Sequence, residues 1–253
     1  MKISIITAVL NNSAFIEDCI RSVLNQTHRD VEYVVVDGAS TDGTLHVVQK
    51  YSGRIARWIS EPDRGMYDAI NKGIAMATGN VVGILNSDDV YSSDTVLERI
   101  AAEFETGGVD SVFADLVYVK RMNPDRIVRY YRSRDFHPKM FAYGWMPAHP
   151  TFFVKRSCYE KYGLFKTDYA IAADFELLLR FIEVHKISYR YIPEIVVRMR
   201  TGGKSTKNLS SNLALNREII RACGENGIKT NSAKVYLKYF KKVFQFIRKP
   251  ASV

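Results

Sequence analysis

Cysteine is scarce in this chain. Cys19, Cys158 and Cys223 are odd in number, far apart and never in C-x-x-C spacing, so neither a disulfide framework nor a zinc site is expected; they read as reduced thiols in a cytosolic protein. Long apolar runs are missing too. The stretch from Ile3 to Leu10 follows a single Lys, is too short to cross a bilayer and leads into Asn11-Asn12 rather than a small-residue cleavage site, so neither signal peptide nor membrane helix is expected. No internal repeat or low-complexity segment occurs. Acidic residues stop at Glu225, whereas Lys229, Lys234, Lys238, Lys241, Lys242, Arg248 and Lys249 supply +7 of the net +9, leaving +2 for residues 1–225. The basicity belongs to the tail, and the main domain is not expected to bind nucleic acid.

What is present is ordinary soluble globular material: 253 residues, 47% hydrophobic and 25% charged, enough for one large α/β domain or a domain with an appendage. The chain is organised around Gly79-Asn80-Val81-Val82-Gly83-Ile84-Leu85-Asn86-Ser87-Asp88-Asp89. Its apolar run reads as a strand buried on both faces, and it stops on two carboxylates. Ligands of open α/β sheets lie beyond the carboxyl ends of the strands, so Asp88 and Asp89 are delivered to the ligand crevice. Adjacent carboxylates repel, and a divalent cation that also holds phosphate would resolve the repulsion; a solvated turn ahead of a helix capped near Ser92 or Ser93 is the alternative.

Strands over residues 3–8, 31–36 and 57–60 alternate with helices over residues 15–24, up to Lys50, and 67–77, which predicts a mostly parallel sheet in the first hundred residues. The loop Ala8-Val9-Leu10-Asn11-Asn12-Ser13 after the first strand is neither a G-x-G-x-x-G turn nor a Gly-rich basic loop. The second strand delivers another acid, Asp37, and Ser40 or Thr41 is expected to cap the helix that follows. Asp68 and Lys72 share one helix face and read by themselves as a surface ion pair. Beyond a helix over residues 93–104, strands over 109–120 and 127–131, with a turn at 123–125, indicate a smaller mixed sheet. Trp145 and His149 stand in an aromatic, proline-bent loop as candidate acceptor contacts; His149 also reads as a structural histidine. Asp174 opens a largely apolar helix, as an N-cap or first-turn acid stabilised by the helix dipole, a general base or both. Residues 189–199 read as strands interrupted at Pro193, and residues 200–205 as a flexible basic loop able to close over phosphates. A helix over 208–223 precedes the tail, whose residues 234–249 are basic and amphipathic and read either as docked on the domain or as lying on an anionic membrane leaflet.

Five separated segments resemble, in order, the family-2 glycosyltransferases of GT-A fold: Ile5-Ile6-Thr7-Ala8, Val34 through Thr44, Asp68-Ala69-Ile70-Asn71-Lys72-Gly73, Leu85-Asn86-Ser87-Asp88-Asp89 and Ala173-Asp174. The resemblance runs over about residues 1–205 and implies a Rossmann-like, mostly parallel sheet, a nucleotide-sugar half (1–95), an acceptor half (96–205) and a separate helical tail (206–253). It implies that Thr7, Ala8 and Asp37 contact base and ribose, that Asp88 lies on the ribose side, and that Asp89 binds Mn²⁺ or Mg²⁺, with Asn86 replacing the first carboxylate of the family's D-x-D. It implies that Asp174 is the base, with Ala173 where the family has Glu, and that Arg200 and Ser205 match the family's closing loop. Lys72 and Arg200 would add positive charge at the leaving diphosphate. One base and no opposing nucleophile imply inverting transfer from a nucleoside-diphosphate sugar to a saccharide or lipid-linked saccharide, as in cell-surface polysaccharide synthesis, by a cytoplasmic protein at the inner face of the membrane. A nucleotidyltransferase acting on sugar phosphates, or a non-enzymatic nucleic-acid or anionic-surface binding module, are the other readings.

Overall fold

The computed structural model describes residues 1–202 and 209–239. The first hundred residues run β1 (Ile3–Val9), α1 (Ile16–Leu24), β2 (Val31–Asp37), α2 (Thr44–Lys50), β3 (Arg57–Ser60), α3 (Met66–Met76), β4 (Val81–Ile84), β5 (Val90–Tyr91) and α4 (Val96–Glu105). They are followed by β6 (Ser111–Lys120), β7 (Asn123–Tyr131), β8 (Phe153–Lys155), α5 (Arg156–Tyr162), α6 (Ala173–Leu179), β9 (Tyr189–Arg200), α7 (Leu209–Glu225) and α8 (Ser232–Tyr236). Short 3₁₀ turns at Pro138–Tyr143 and His149–Thr151 lie between β7 and β8.

The strands form one nine-stranded sheet in the order β3-β2-β1-β4-β8-β6-β9-β5, with β7 beside β6. β3, β2, β1 and β4 are parallel, and β8 joins them, antiparallel, to the mixed half. Strand alternation sends side chains to two cores. Ile6, Val34 and Val36 pack with α3, α6 and α7 on one face, while Ile5, Tyr33 and Val35 pack with α1 and α4 on the other. Glu32 is a buried carboxylate within this frame. Burial alone would raise it, but donors from Ser4, Thr78 and Lys2 hold it at about 2.

Four local expectations need correction. Neither Ser40 nor Thr41 caps α2: the Ser40 hydroxyl accepts from the Asn11 amide and the Thr41 amide donates to Asn11 Oδ1. The Asp42 carboxylate instead accepts from the Thr44 and Ser13 amides. α4 starts at Val96, because Ser92 bonds to β9 carbonyls and Gln26 Oε1 accepts the Leu97 amide at 2.9 Å. The β6–β7 turn is at Arg121-Met122, and residues 123–125 belong to β7. Pro193 does not break β9: it sits in a bulge where Phe113 and Asp115 oppose Tyr191 and Ile195, a position that needs no ladder N–H.

Gly83 lies where β4 passes under Phe153, and a Cβ there would meet that ring's carbons at 2.4 and 2.6 Å. Gly83→Ala is therefore expected to destabilise by about 1–3 kcal/mol, the usual consequence of overpacking, measured by urea unfolding; an unchanged midpoint would contradict the packing of β8 on β4.

Candidate active site at the carboxyl ends of the strands

The parallel strands end together, and their ends build one crevice. At the end of β2, Asp37 is fully buried; its Oδ2 accepts from the Ser40 amide at 3.1 Å and the Ser60 hydroxyl at 2.6 Å. Its Oδ1 is buried without a hydrogen-bond partner among the described residues, an acceptor awaiting a donor. Asp63 packs against the next residue, Gly38, where a Cβ would meet its carboxylate at 2.3 Å. Lys72, on α3, reaches its Nζ to the turn after β3, 2.7 Å from Glu61 and 2.9 Å from the Pro62 carbonyl, so the ion pair with Asp68, at 3.9 Å, is only part of its environment. Thr7 turns its hydroxyl inward, onto the Leu85 carbonyl at 2.9 Å, and ties β1 to β4; Ala8, next to it, is partly exposed.

Beyond β4 the chain turns through residues 86–89. Asn12 Nδ2 donates to Ser87 at 2.8 Å, linking this turn to the loop after β1. Asp89 is buried; its Oδ2 accepts from Asn86 Nδ2 at 2.8 Å and its Oδ1 from the Arg200 amide at 3.1 Å. Burial first, and the charge of Asp88 second, push the Asp89 carboxyl up to about 7. Asp88 is more open and faces Arg121, whose Nη1 lies 3.4 Å away.

Arg200 is not part of an open loop. It ends β9, is buried, and its guanidinium bonds to the Asp88 carbonyl (2.8 Å), the Arg121 carbonyl (3.2 Å) and the Asp18 carboxylate (2.6 Å). The guanidiniums of Arg121 and Arg200 both pack on the Phe15 ring, at 4.3 and 5.0 Å. Ser205 lies outside the described residues.

Across the crevice, His149 Nδ1 and Asp174 Oδ2 are 3.0 Å apart. Burial alone would lower the His149 pKa; the Asp174 charge and hydrogen bond raise it instead, helped by Asp89, so the Asp88–Asp89 turn and the His149–Asp174 pair are within electrostatic reach of each other. Asp174 Oδ1 accepts the Phe175 amide at 2.7 Å within the first turn of α6. The chain entering α6 is fixed from α7: the Glu218 carboxylate accepts the amides of Ala170, Ile171 and Ala172 at 2.8, 2.9 and 2.8 Å. The pair opens into a cavity of about 190 Å³, one wall of which comes from α7 and the residues after α8. Trp145, also at this cavity, stacks on Tyr131 and Phe136. Among the described residues no three His, Cys, Asp or Glu side chains converge on a point.

Asn12, Phe15, Asp18, Arg121 and Glu218 are the site residues that sequence reasoning missed. Their partners lie tens of residues away or more, and no local pattern marks them.

The family model described as Glycosyl transferase family 2 matches residues 4–163, so Asp174, Arg200 and Glu218 lie beyond the matched segment. The chain is 33% identical over 184 residues to an uncharacterized glycosyltransferase, MT1564, of Mycobacterium tuberculosis (strain CDC 1551 / Oshkosh), covering 70% of this chain and 68% of the relative. It is 30% identical over 200 residues to a PGL/p-HBAD biosynthesis glycosyltransferase of Mycobacterium bovis (strain BCG / Pasteur 1173P2), covering 76% and 74%. Among solved structures it resembles S. aureus TarS 1-349 in complex with UDP-GlcNAc, with TM-score 0.66, 18% identity, and 97% of this chain and 73% of that chain covered. In a longer TarS structure the chain spans only 44% of the matched protein. It also resembles the mannosyltransferase PcManGT from Pyrobaculum calidifontis in complex with GDP-Man and Mn²⁺, with TM-score 0.68, 20% identity, and 94% and 69% covered. The fold is thus that of the GT-A glycosyltransferases.

Two outcomes are expected. Asp89 holds its proton up to about 7 when folded, whereas an unfolded Asp releases it near 3.9. Between those values the folded chain binds more protons, so its stability falls as pH rises. Asp89→Asn should flatten that decline in urea melts between about pH 4 and about pH 7; parallel profiles would contradict the buried acid. Glu218→Ala is expected to destabilise by about 1–2 kcal/mol, as removal of an N-terminal cap does, with a smaller loss for Glu218→Gln, read by the same melts.

Proposed function

The chain belongs to glycosyl transferase family 2, and from that premise we propose that it transfers a sugar, with inversion, from a nucleoside-diphosphate sugar to an acceptor hydroxyl in the assembly of a cell-surface glycan. The observation that carries this reading is the pairing of Asp174 with His149 at the mouth of a cavity, across the crevice from the acids of the β4 turn. Names of relatives and neighbours support the coarser parts: UDP-GlcNAc and GDP-Man are bound by the two solved proteins, and one relative is a PGL/p-HBAD biosynthesis glycosyltransferase.

On this reading the nucleotide lies over the ends of β1 and β2. The unpartnered Asp37 Oδ1 accepts a donor from base or ribose, and the closeness of Asp63 to Gly38 shapes that floor. Asp88, on the ribose side, exchanges Arg121 for nucleotide contacts. The residues present fit a divalent cation carried with the diphosphate: Asp89 is a buried acid that forms no ion pair among the described residues and accepts from the Asn86 amide and the Arg200 backbone N–H, and one or two carboxylates with phosphate oxygens suit Mg²⁺ or Mn²⁺. When bound, such an ion neutralises charge developing on the leaving diphosphate. Lys72 adds positive potential from the nucleotide side, while Arg200, engaged with Asp18 and two carbonyls, holds the β4 turn in place.

Asp174 takes the acceptor proton as the hydroxyl attacks the anomeric carbon, and the diphosphate leaves from the opposite face. His149 holds the Asp174 carboxylate in one orientation and shares its charge. With no second carboxylate placed as nucleophile among the residues assigned here, a single displacement inverts the centre. We place this chemistry in the cytoplasm, at the inner face of the membrane. No helix among the described residues is long and apolar enough to cross a membrane, and residues 240–249 of the basic stretch lie outside the described residues.

Incubating the protein with a panel of nucleotide sugars and Mn²⁺ or Mg²⁺ tests the proposal. Slow donor hydrolysis with release of nucleoside diphosphate is expected, lost with chelator and restored by metal. Release of pyrophosphate instead would indicate a nucleotidyltransferase. Asp174→Asn should retain donor binding but lose transfer by about 100-fold or more, the scale of a general-base loss; retained transfer would remove Asp174 from the mechanism.

A further inference from the structure

The cavity beside Asp174 differs in kind from the acid-lined crevice. Three directions of the fold supply its walls: Tyr118 and Met199 from β6 and β9, Trp145 and Met146 from the loop before β8, and Leu215 and Ile219 from α7. None of these side chains carries a formal charge, and α7 lies outside the segment that the family model matches.

Polar capacity inside the cavity is limited and partly taken. The Tyr131 hydroxyl donates to the Met146 carbonyl at 2.8 Å, the Tyr239 hydroxyl bonds with Asn216, and the Arg129 guanidinium packs 3.9 Å over the Tyr118 ring. Asn212 and Lys238 stand on the wall formed by the C-terminal helices, with Lys238 Nζ 5.5 Å over the Tyr239 ring. His149 and Asp174 occupy the end where a hydroxyl would be deprotonated. A fully hydroxylated sugar turns hydroxyls in every direction, and each one buried without a partner costs about 1–3 kcal/mol. Aromatic and aliphatic walls, in contrast, gain from each apolar group they remove from water.

We infer that the acceptor carries its attacking hydroxyl beside an apolar body, an aryl or alkyl aglycone that fills the cavity between the small sheet and α7. The inference rests on the transferase reading above and names the acceptor class for it. The hydroxyl points to Asp174, and the aglycone lies against Trp145, Leu215 and Ile219. The C-terminal helices thereby set acceptor choice, while the matched segment sets donor chemistry.

The test uses the full chain with the donor found in the hydrolysis panel. Transfer is measured to methyl, phenyl and octyl glycosides of the same sugars, with free phenol and octanol alongside. Phenyl or octyl acceptors should exceed the methyl glycoside in kcat/KM by about tenfold or more, the scale of one well-filled apolar subsite; the better of the two tells an aryl from an alkyl aglycone. Leu215→Ser should shrink that ratio, and a ratio cancels any loss of folded protein. Methyl glycosides used as well as the others, with donor turnover intact, would overturn the inference and leave the transferase reading standing. Absence of donor hydrolysis and of transfer to every acceptor would overturn both.

Discussion

The site is organised by a charge held where charge is expensive. β4 ends in a turn that places the Asp89 carboxylate out of water, where among the described residues it accepts from the Asn86 amide and the Arg200 backbone N–H and forms no ion pair. The Arg200 guanidinium is turned toward Asp18 and two carbonyl oxygens. Burial first, and the adjacent Asp88 charge second, push the carboxyl up to about 7, against the Asn86 and Arg200 hydrogen bonds and the His149 charge. Under the proposed function, this buried acid is the group that meets the cation carried with the donor. The rest of the frame defends that arrangement: Thr7 ties β1 to the end of β4, Asn12 ties the first loop to Ser87, and Phe15 carries the Arg121 and Arg200 guanidiniums.

The second half of the site depends on parts of the chain far from the first. Asp174 stands at the start of α6, whose preceding amides are held by Glu218 of α7, and α7 in turn packs on α8. Val235 is fully buried, and a Cβ on Gly144 would meet it at 3.1 Å, so this end of the chain docks on the domain beside the cavity. Of the basic stretch 234–249, Val235 docks on the domain, Tyr236 and Leu237 are exposed, and residues 240–253 lie outside the described residues.

Much of this was legible in the sequence. The apolar runs of β1, β2 and β4, each ending near a polar or acidic residue, mark the parallel half and its crevice, because strands covered by helices on both faces read as near-continuous apolar runs. Asp174 and His149 were each singled out, though nothing local paired them; a separation of 25 residues is closed only by β8 and α5. Arg200 was misread because a Gly-containing basic segment suggests a loop, whereas β6 and Asp89 extend the ladder through it. Ser40 and Thr41 were misread for a related reason: capping propensity is local, and Asn11 competed for both. Arg121 and Glu218 have no local mark, since a turn Arg and a helical Glu carry no signature until their partners are placed.

The two halves meet a single demand from opposite sides. A transferase must let an acceptor hydroxyl attack while keeping water, a competing nucleophile, away from the same carbon. On the donor side the crevice is polar, and the bound nucleotide itself would displace solvent from Asp37 and Asp88. On the acceptor side no nucleotide does this, and His149–Asp174 would activate water as readily as an alcohol if water were held there. Met199, Trp145 and Leu215 offer a water molecule few of the hydrogen bonds it needs to stay, whereas an apolar aglycone gains by entering. A cavity with such walls therefore favours its acceptor twice, by attracting the body that carries the hydroxyl and by giving the competitor nothing to bind.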